Sequence, residues 1–149
     1  MNTSIRSTVL AAALLLLPTS LMAQSNEHAE VDRAMQTLLR GFEAGDANLL
    51  SGVLRKDGVV IGYSSNRGAV VMETTEEWAK GFPGKPAPDE AQRHRQYRIL
   101  DVTDSAAVVK LTLDYPTWDG SDYLALAKID GNWMIVSKSW SGKRKTPAS

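Results

Sequence analysis

No cysteine occurs among the 149 residues of the chain. Its absence excludes a disulfide framework, a thiolate nucleophile, a cysteine-based zinc site and a lipidated N-terminal cysteine. Histidine is almost as scarce. The two present, His28 and His94, are too far apart to offer a metal-ligand spacing, so neither a metal nor another cofactor is expected. Charge of one sign is missing too: 17 basic side chains face 17 acidic ones. That balance argues against a phosphate-neutralising surface and a nucleic-acid partner, and the short basic run Lys143-Arg144-Lys145 reads as solubilising. Gly-x-Ser-x-Gly, Gly-x-Gly-x-x-Gly, P-loop and His-Glu-x-x-His patterns are all lacking. What remains, 43% hydrophobic and 23% charged, is the composition of an ordinary globular domain, and the length allows one.

The one long apolar run lies at the start. Met1 to Ser7 is short and polar with a single basic residue, Arg6, followed by TVLAAALLLL from Thr8 to Leu17 and then by Pro18. Small Ala23 precedes Gln24. This is the order of a secretory signal peptide, and about 20 apolar residues would be needed for a membrane span. Residues 1–23 are therefore expected to be removed and 24–149 to form one domain, slightly acidic, periplasmic or secreted, without membrane insertion. His28, close to the new N-terminus, reads as an exposed bystander.

Val31, Met35, Leu38, Leu39 and Phe42 share one face of a helix expected over Glu27 to Ala44, with Gly45 as its stop. Asp46 is a good N-cap for a second helix burying Leu49, Leu50, Val53 and Leu54. Val59 to Tyr63 and Ala69 to Met72 read as short strands around a turn, and Thr74-Thr75-Glu76-Glu77-Trp78 as a capped third helix ending near Gly81. Phe82 to Gln92, with Pro83, Gly84, Pro86 and Pro88, is a loop longer than most. From Arg93 onward the period is two. Four strands are expected, with turns at Asp104-Ser105, Asp119-Gly120 and Asp130-Gly131. Ala107, Val109, Leu111, Leu113 and Tyr115 share a face, and apolar residues on both faces of the last strands suggest a sheet covered on both sides. Helices followed by an antiparallel meander make an α+β class.

For chemistry, the titratable candidates are His94, Asp114 and Asp122. His94 opens the strand region within Arg93-His94-Arg95-Gln96-Tyr97-Arg98, and the two aspartates flank a hairpin. Alternation puts Arg93 and Arg95 on one face and Arg98 on the other, which weakens a single anion site there, and solvated charges are the commoner role. Tyr63, Trp78, Tyr115 and Trp118 are the aromatic candidates for lining an apolar cavity, alongside His94. Trp133 reads as core.

LLRGFEAGDANLL from Leu38 to Leu50, Trp78, and SDYLALAKIDGNWMIVSKSW from Ser121 to Trp140 together resemble the nuclear transport factor 2-like (SnoaL-like) superfamily. The nearest resemblance is to the small exported proteins grouped as the "Putative lumazine-binding" family. It covers most of residues 30–140. It implies a cone-shaped, curved antiparallel sheet wrapped around N-terminal helices, with a pocket at the wide end and homodimers formed through the outer sheet face. Enzymes of the superfamily place acid–base groups inside the cone. Polyketide-cyclase-like members often carry histidines after the Trp-x-Ile of the last strand, where this chain has Ser137 and Ser139. Serine is no base without an activating partner. The expectation is thus a binding protein for a small, partly apolar molecule, without clear catalytic machinery. The alternatives are an isomerase, dehydratase or hydrolase-like enzyme using His94, Asp114 or Asp122 with a tyrosine hydroxyl, and an assembly protein acting through its sheet face.

Overall fold

The structure is a computed structural model that describes residues 19–145, with side chains from residue 26 onward. The expected leader, residues 1–23, falls mostly outside the described residues. The first helix, α1, spans Thr19–Ala44, so it begins upstream of the expected Glu27; only from Val31 does an apolar period mark it in the sequence. Its end is the one expected. Gly45 takes φ 62°, the Gly45 N–H donates to Phe42 O at 3.2 Å and the Asp46 N–H to Gly41 O at 2.9 Å. This Schellman pair satisfies the last helical carbonyls and needs a residue free to adopt positive φ. Asp46 then accepts from the backbone N–H of Asn48 at 2.8 Å, capping α2, Ala47–Ser51.

The second helix is shorter than expected. Leu50 is buried within it, but Leu49 is exposed, and Leu54 already opens the first strand, β1, Leu54–Ser64. Val53 and Leu54 are buried as foreseen, by a strand entry rather than a helix face. Their spacing from Leu50 fits either element, and five residues after Asp46 suffice to turn the chain. β2, Ala69–Thr74, pairs antiparallel with β1. Thr74 then caps α3, Thr75–Ala79, in a capping box: it accepts from the Glu77 N–H at 3.1 Å, and Glu77 accepts from the Thr74 N–H at 2.9 Å. Thr75, fully buried, donates its hydroxyl to the Arg55 carbonyl and so docks α3 on β1.

The remaining strands are β3, His94–Val102; β4, Ala106–Tyr115; β5, Trp118–Ile129; and β6, Asn132–Arg144. They form one six-stranded sheet in the order β2-β1-β6-β5-β4-β3. It is mixed rather than purely antiparallel, because β1 runs parallel to β6. The Asp130-Gly131 turn is as expected, with φ 50° and 80° at its two central positions, the type I′ signature. Asp119-Gly120 is not a turn. The chain reverses at Pro116-Thr117, with Tyr115 opposite Trp118, and Gly120 sits inside β5 opposite Leu113. Pro116 supplies the fixed φ that a first central turn position favours, while Gly120 has a different task, described below.

Among the described residues, helices cover one face only. Val31, Met35, Leu38 and Phe42 of α1 pack against the inward residues Val109, Leu111, Leu124, Leu126, Trp133 and Ile135, a continuous core in which each large side chain contributes about 1.5–3 kcal/mol. Glu27 ties α1 to the far hairpin, accepting from Lys128 Nζ at 2.7 Å and from Trp133 Nε1 at 2.9 Å. The Tyr97 hydroxyl, donating to Asp32 Oδ1 at 2.6 Å, ties it to β3; burial and that carboxylate push the phenol up to about 12. The other sheet face, expected to be covered, is open among the described residues. Val59, Ile61, Tyr63, Val70, Met72, Val108 and Tyr123 all expose apolar surface there.

Candidate functional site

Two β-bulges decide what faces the open end of the sheet. On β6, Ile135 pairs with Leu126 while Ser137 pairs with the very next residue of β5, Ala125, leaving Val136 as the extra residue. The insertion shifts the alternation by one. Trp133 and Ile135 face the core; beyond the bulge it is Lys138 and Trp140 that point inward, opposite Leu124 and Asp122. Ser137 and Ser139 lie on the outer face, paired with the exposed Val59 and Ile61. The two serines are therefore not the inward positions that uninterrupted alternation makes them. A second irregularity on β1, between Leu54 and Val59, brings Val60 into the core layer and leaves Val59, Ile61 and Tyr63 outside.

Past the end of the hydrophobic core the inward faces line an open-mouthed cavity of about 420 Å³, a size within the range of small-molecule sites. Trp78, Trp118, Trp140, Leu113, Asp122 and Lys138 are among the residues that line it, as are Glu73 and Arg67. Trp78 is set by the aromatic cluster behind it, edge-on to Phe42 at 5.7 Å and to Phe82 at 5.1 Å between ring centroids. Trp118 and Trp140 lie 6.3 Å apart, inclined at 55°. Each rests on glycine. A Cβ on Gly62 would come within 2.5 Å of Trp140 Cδ2, one on Gly120 within 2.6 Å of Trp118 Nε1, and one on Gly142 within 2.5 Å of Trp118 Cε2. Gly120 thus serves close packing of an indole.

The polar floor is an ion pair. Asp122, only 2% exposed, has Lys138 Nζ 3.0 Å from its Oδ2, and Lys138 is itself 8% exposed. The ammonium also stands 4.4 Å from the centre of the Trp78 ring, a cation–π contact. Among the described residues Asp122 Oδ2 has no partner besides this ammonium, which meets it as an ion pair. Burial raises the Asp122 carboxyl above its ordinary range, and Lys138 partly offsets this.

Of the sequence candidates, the structure brings Trp78, Trp118 and Asp122 together. Asp122 is no solvated turn residue; it continues the inward row of Leu124 and Leu126. Tyr63 is 60% exposed on the outer face. His94 is exposed at the start of β3, opposite Asp114, whose carboxyl is held below the usual range by a hydrogen bond from Lys145. Tyr115 faces inward but belongs to a neighbouring cluster. Its hydroxyl accepts from Arg95 Nε at 2.8 Å, and the Arg93 guanidinium lies 4.5 Å from its ring centre. Arg95, far from being a solvated charge, has a side chain only 5% exposed and pairs with Glu90; Arg93 pairs with Asp89 at 2.8 Å. These two pairs clamp one end of the long Phe82–Gln92 loop, and Phe82, stacked 5.6 Å from Phe42, clamps the other. Lys138 and Trp140 are the cavity residues that the sequence reading misses. No sequence signal marks the bulge that turns them inward.

The model of the family described as "Putative lumazine-binding" matches residues 26–141. Among curated proteins, none matches in sequence. Solved structures do match. A nuclear transport factor 2-like protein of unknown function from Shewanella baltica is 16% identical with a TM-score of 0.70, over 81% of this chain and 97% of that one. The association domain of CaMKII from C. elegans is 16% identical with a TM-score of 0.59, over 80% and 98%. A putative scytalone dehydratase from Novosphingobium aromaticivorans is 15% identical with a TM-score of 0.59, over 87% and 94%. At these identities the likeness is one of fold.

Proposed function

The chain belongs to the "Putative lumazine-binding" family, with a nuclear transport factor 2-like fold, and from that premise we propose that it is an exported protein that holds a small, partly apolar molecule in the cavity between Trp78, Trp118 and Trp140. The observation that carries this reading is Asp122: a carboxylate buried at the cavity floor, with one oxygen lacking a hydrogen-bond donor among the described residues. Buried polar atoms in folded proteins are almost always satisfied, and this exception belongs to a residue that lines the cavity. Export is supported by the leader-like run Thr8 to Leu17 ahead of Ala23.

Native mass spectrometry of the protein purified from its own host tests both parts. The expected mass is that of a chain starting at Gln24, carrying a small adduct; Trp118→Ala should lower adduct occupancy at least about tenfold, the scale of losing a well-packed aromatic contact. An uncleaved chain would overturn export, and a mature chain free of adduct would overturn the binding role.

A second reading, an isomerase, dehydratase or hydrolase-like enzyme, is favoured by the same carboxylate, since a buried acid raised above its usual range suits proton transfer. It predicts that Asp122→Asn abolishes turnover while leaving ligand affinity within a few-fold.

The outer sheet face supports a homodimer. Val59, Ile61, Tyr63, Val70 and Met72 form one apolar block on β1 and β2, and the small Ser137, Ser139 and Ala125 lie beside it. Exposed apolar blocks of this kind mark interaction sites, and the similar CaMKII domain is named for association. Met72 is 70% exposed, so Met72→Lys should leave the fold intact while converting a dimer to a monomer in analytical ultracentrifugation. A wild type that sediments as a monomer at high concentration would sink this assignment.

A further inference from the structure

The two edges of the sheet differ. A strand at an edge leaves a row of N–H and C=O groups without a ladder partner, and proteins blunt such edges with charges, proline, bulges or a covering element. The β3 edge carries the charged Arg95 and Arg98, a register shift between Ile99 and Asp101, and the neighbouring α1, joined through the Tyr97 bond to Asp32. The β2 edge, Ala69–Thr74, is left plain. Its sequence AVVMET holds no proline, lysine or arginine, and its pairing with β1 runs without a bulge. Among the described residues β1 is its only strand neighbour.

Which backbone groups of β2 face outward follows from its ladder. The Thr74 N–H donates to the Glu77 carboxylate, 2.9 Å away, so Thr74 and its partner Val59 are a pair without hydrogen bonds between them. Opposed residues of an antiparallel ladder alternate between bonded and unbonded pairs. Counting back by two, Met72 and Val70 also turn N–H and C=O away from β1, to the free edge. Their side chains are 70% and 64% exposed. An antiparallel copy of the same strand fits these groups best in one register. With a two-fold axis at Val71, Val70 of each chain opposes Met72 of the other, and every edge N–H meets a carbonyl. Moving the axis to Val70 or Met72 brings in Gly68, in the turn at φ 63°, or Thr74, whose N–H is already used. In the Val71 register Glu73 opposes Ala69, and Arg67 of the second copy stands at the diagonal position, within reach of a long side chain. Neither Glu73 nor Arg67 has an ion-pair partner among the described residues, so the symmetry joins opposite charges twice and opposes no like ones.

We propose that two copies of the chain join edge to edge through antiparallel β2 strands centred on Val71, making their sheets continuous. This contact uses backbone groups and is independent of the outer-face dimer, which uses side chains. A six-residue strand is far short of the area that a stable dimer buries, so the contact forms by mass action as the concentration rises.

Amide hydrogen exchange read by NMR, on isotope-labelled protein purified from its own host, tests it. The Val70 and Met72 amides should exchange at least about tenfold more slowly after an about hundredfold rise in concentration. Val70→Pro deletes one edge donor without removing a bond to β1, and proline is tolerated on edge strands. With an unchanged circular dichroism spectrum, it should abolish the protection of Met72. Ile61→Lys, on the outer face but one strand in from the edge, should leave that protection in place. Should Val70→Pro fail to fold, exchanging the charges decides: Arg67→Glu and Glu73→Arg should each lower the protection about two- to fivefold, and the double variant should restore it. Amides that exchange equally fast at every concentration overturn the proposal. So does protection that is independent of concentration, which means that something other than a second copy covers the edge. Protection lost with Ile61→Lys but kept with Val70→Pro assigns the contact to the outer face and overturns it as well.

Discussion

Lys138→Met is expected to cost the protein about 3–5 kcal/mol of stability at neutral pH, the penalty of leaving a buried charge without its partner. The charge is Asp122. It is 2% exposed, Lys138 is the only cation within ion-pair distance of it among the described residues, and its Oδ2 already lacks a hydrogen-bond donor there. Urea unfolding should show a lower midpoint with an unchanged slope. The double variant Asp122→Leu/Lys138→Met should recover most of the loss, because two apolar side chains of similar volume can replace a buried pair at little or no cost.

The pH dependence has a definite sign. Burial raises the Asp122 carboxyl in the folded protein, and Lys138 opposes that rise. An acid whose folded pKa lies above its unfolded one binds more protons when folded, so its contribution favours folding at low pH and is lost as the pH rises through the folded value. Removing Lys138 raises the folded value further. The deficit of Lys138→Met should therefore be largest near neutrality and shrink as the pH falls to the ordinary carboxylate range. A deficit below about 1 kcal/mol, independent of pH, is what a solvent-screened pair would give, and it would contradict the buried geometry.

That pair also marks the limit of what alternation along a strand reveals. Local signals were legible wherever one or two residues dictate the backbone: Gly45 with Asp46 at the helix junction, the Thr74 to Glu77 capping box, and the Asp130-Gly131 turn. The inward face of β4 was legible too, because Ala107, Val109 and Leu111 keep an unbroken period of two. The cavity floor was not. The extra residue Val136 reverses the phase of β6 without any glycine, proline or charge to announce it; unbroken alternation from Trp133 and Ile135 would put Ser137 and Ser139 inward and Lys138 and Trp140 outward. Asp122 could not be recognised as buried until its partner across the sheet was known. Asp119-Gly120 misled for a related reason. A glycine that makes room for an indole has the same letter as one that turns a hairpin. Trp78 and Trp118, by contrast, could be singled out by residue type alone, since large aromatics on a short helix and beside a hairpin tend to frame hollows.

The glycines beneath the tryptophans carry the second large effect. Gly62→Ala is expected to lower stability by about 1–3 kcal/mol, the usual cost of overpacking, and to abolish ligand binding. The three atoms nearest the new Cβ all belong to the Trp140 indole, with Cδ2 and Nε1 at 2.5 Å. Nothing in the β1 backbone objects: Gly62 does not take positive φ, and it pairs within the sheet like its neighbours. The strain is therefore between one methyl group and one ring. It can be relieved only by moving the ring into the cavity, which it would then fill, or by separating β1 from β6, where Gly62 and Trp140 are direct partners. A double-mutant cycle distinguishes this from a general intolerance of β1. In a Trp140→Ala background the Gly62→Ala step should become nearly neutral, because the three atoms nearest the new Cβ are gone, giving a coupling energy close to the whole cost of the single change. If Gly62→Ala costs the same with and without the indole, the glycine is needed for the strand itself, and Trp140 is not what fixes the cavity wall.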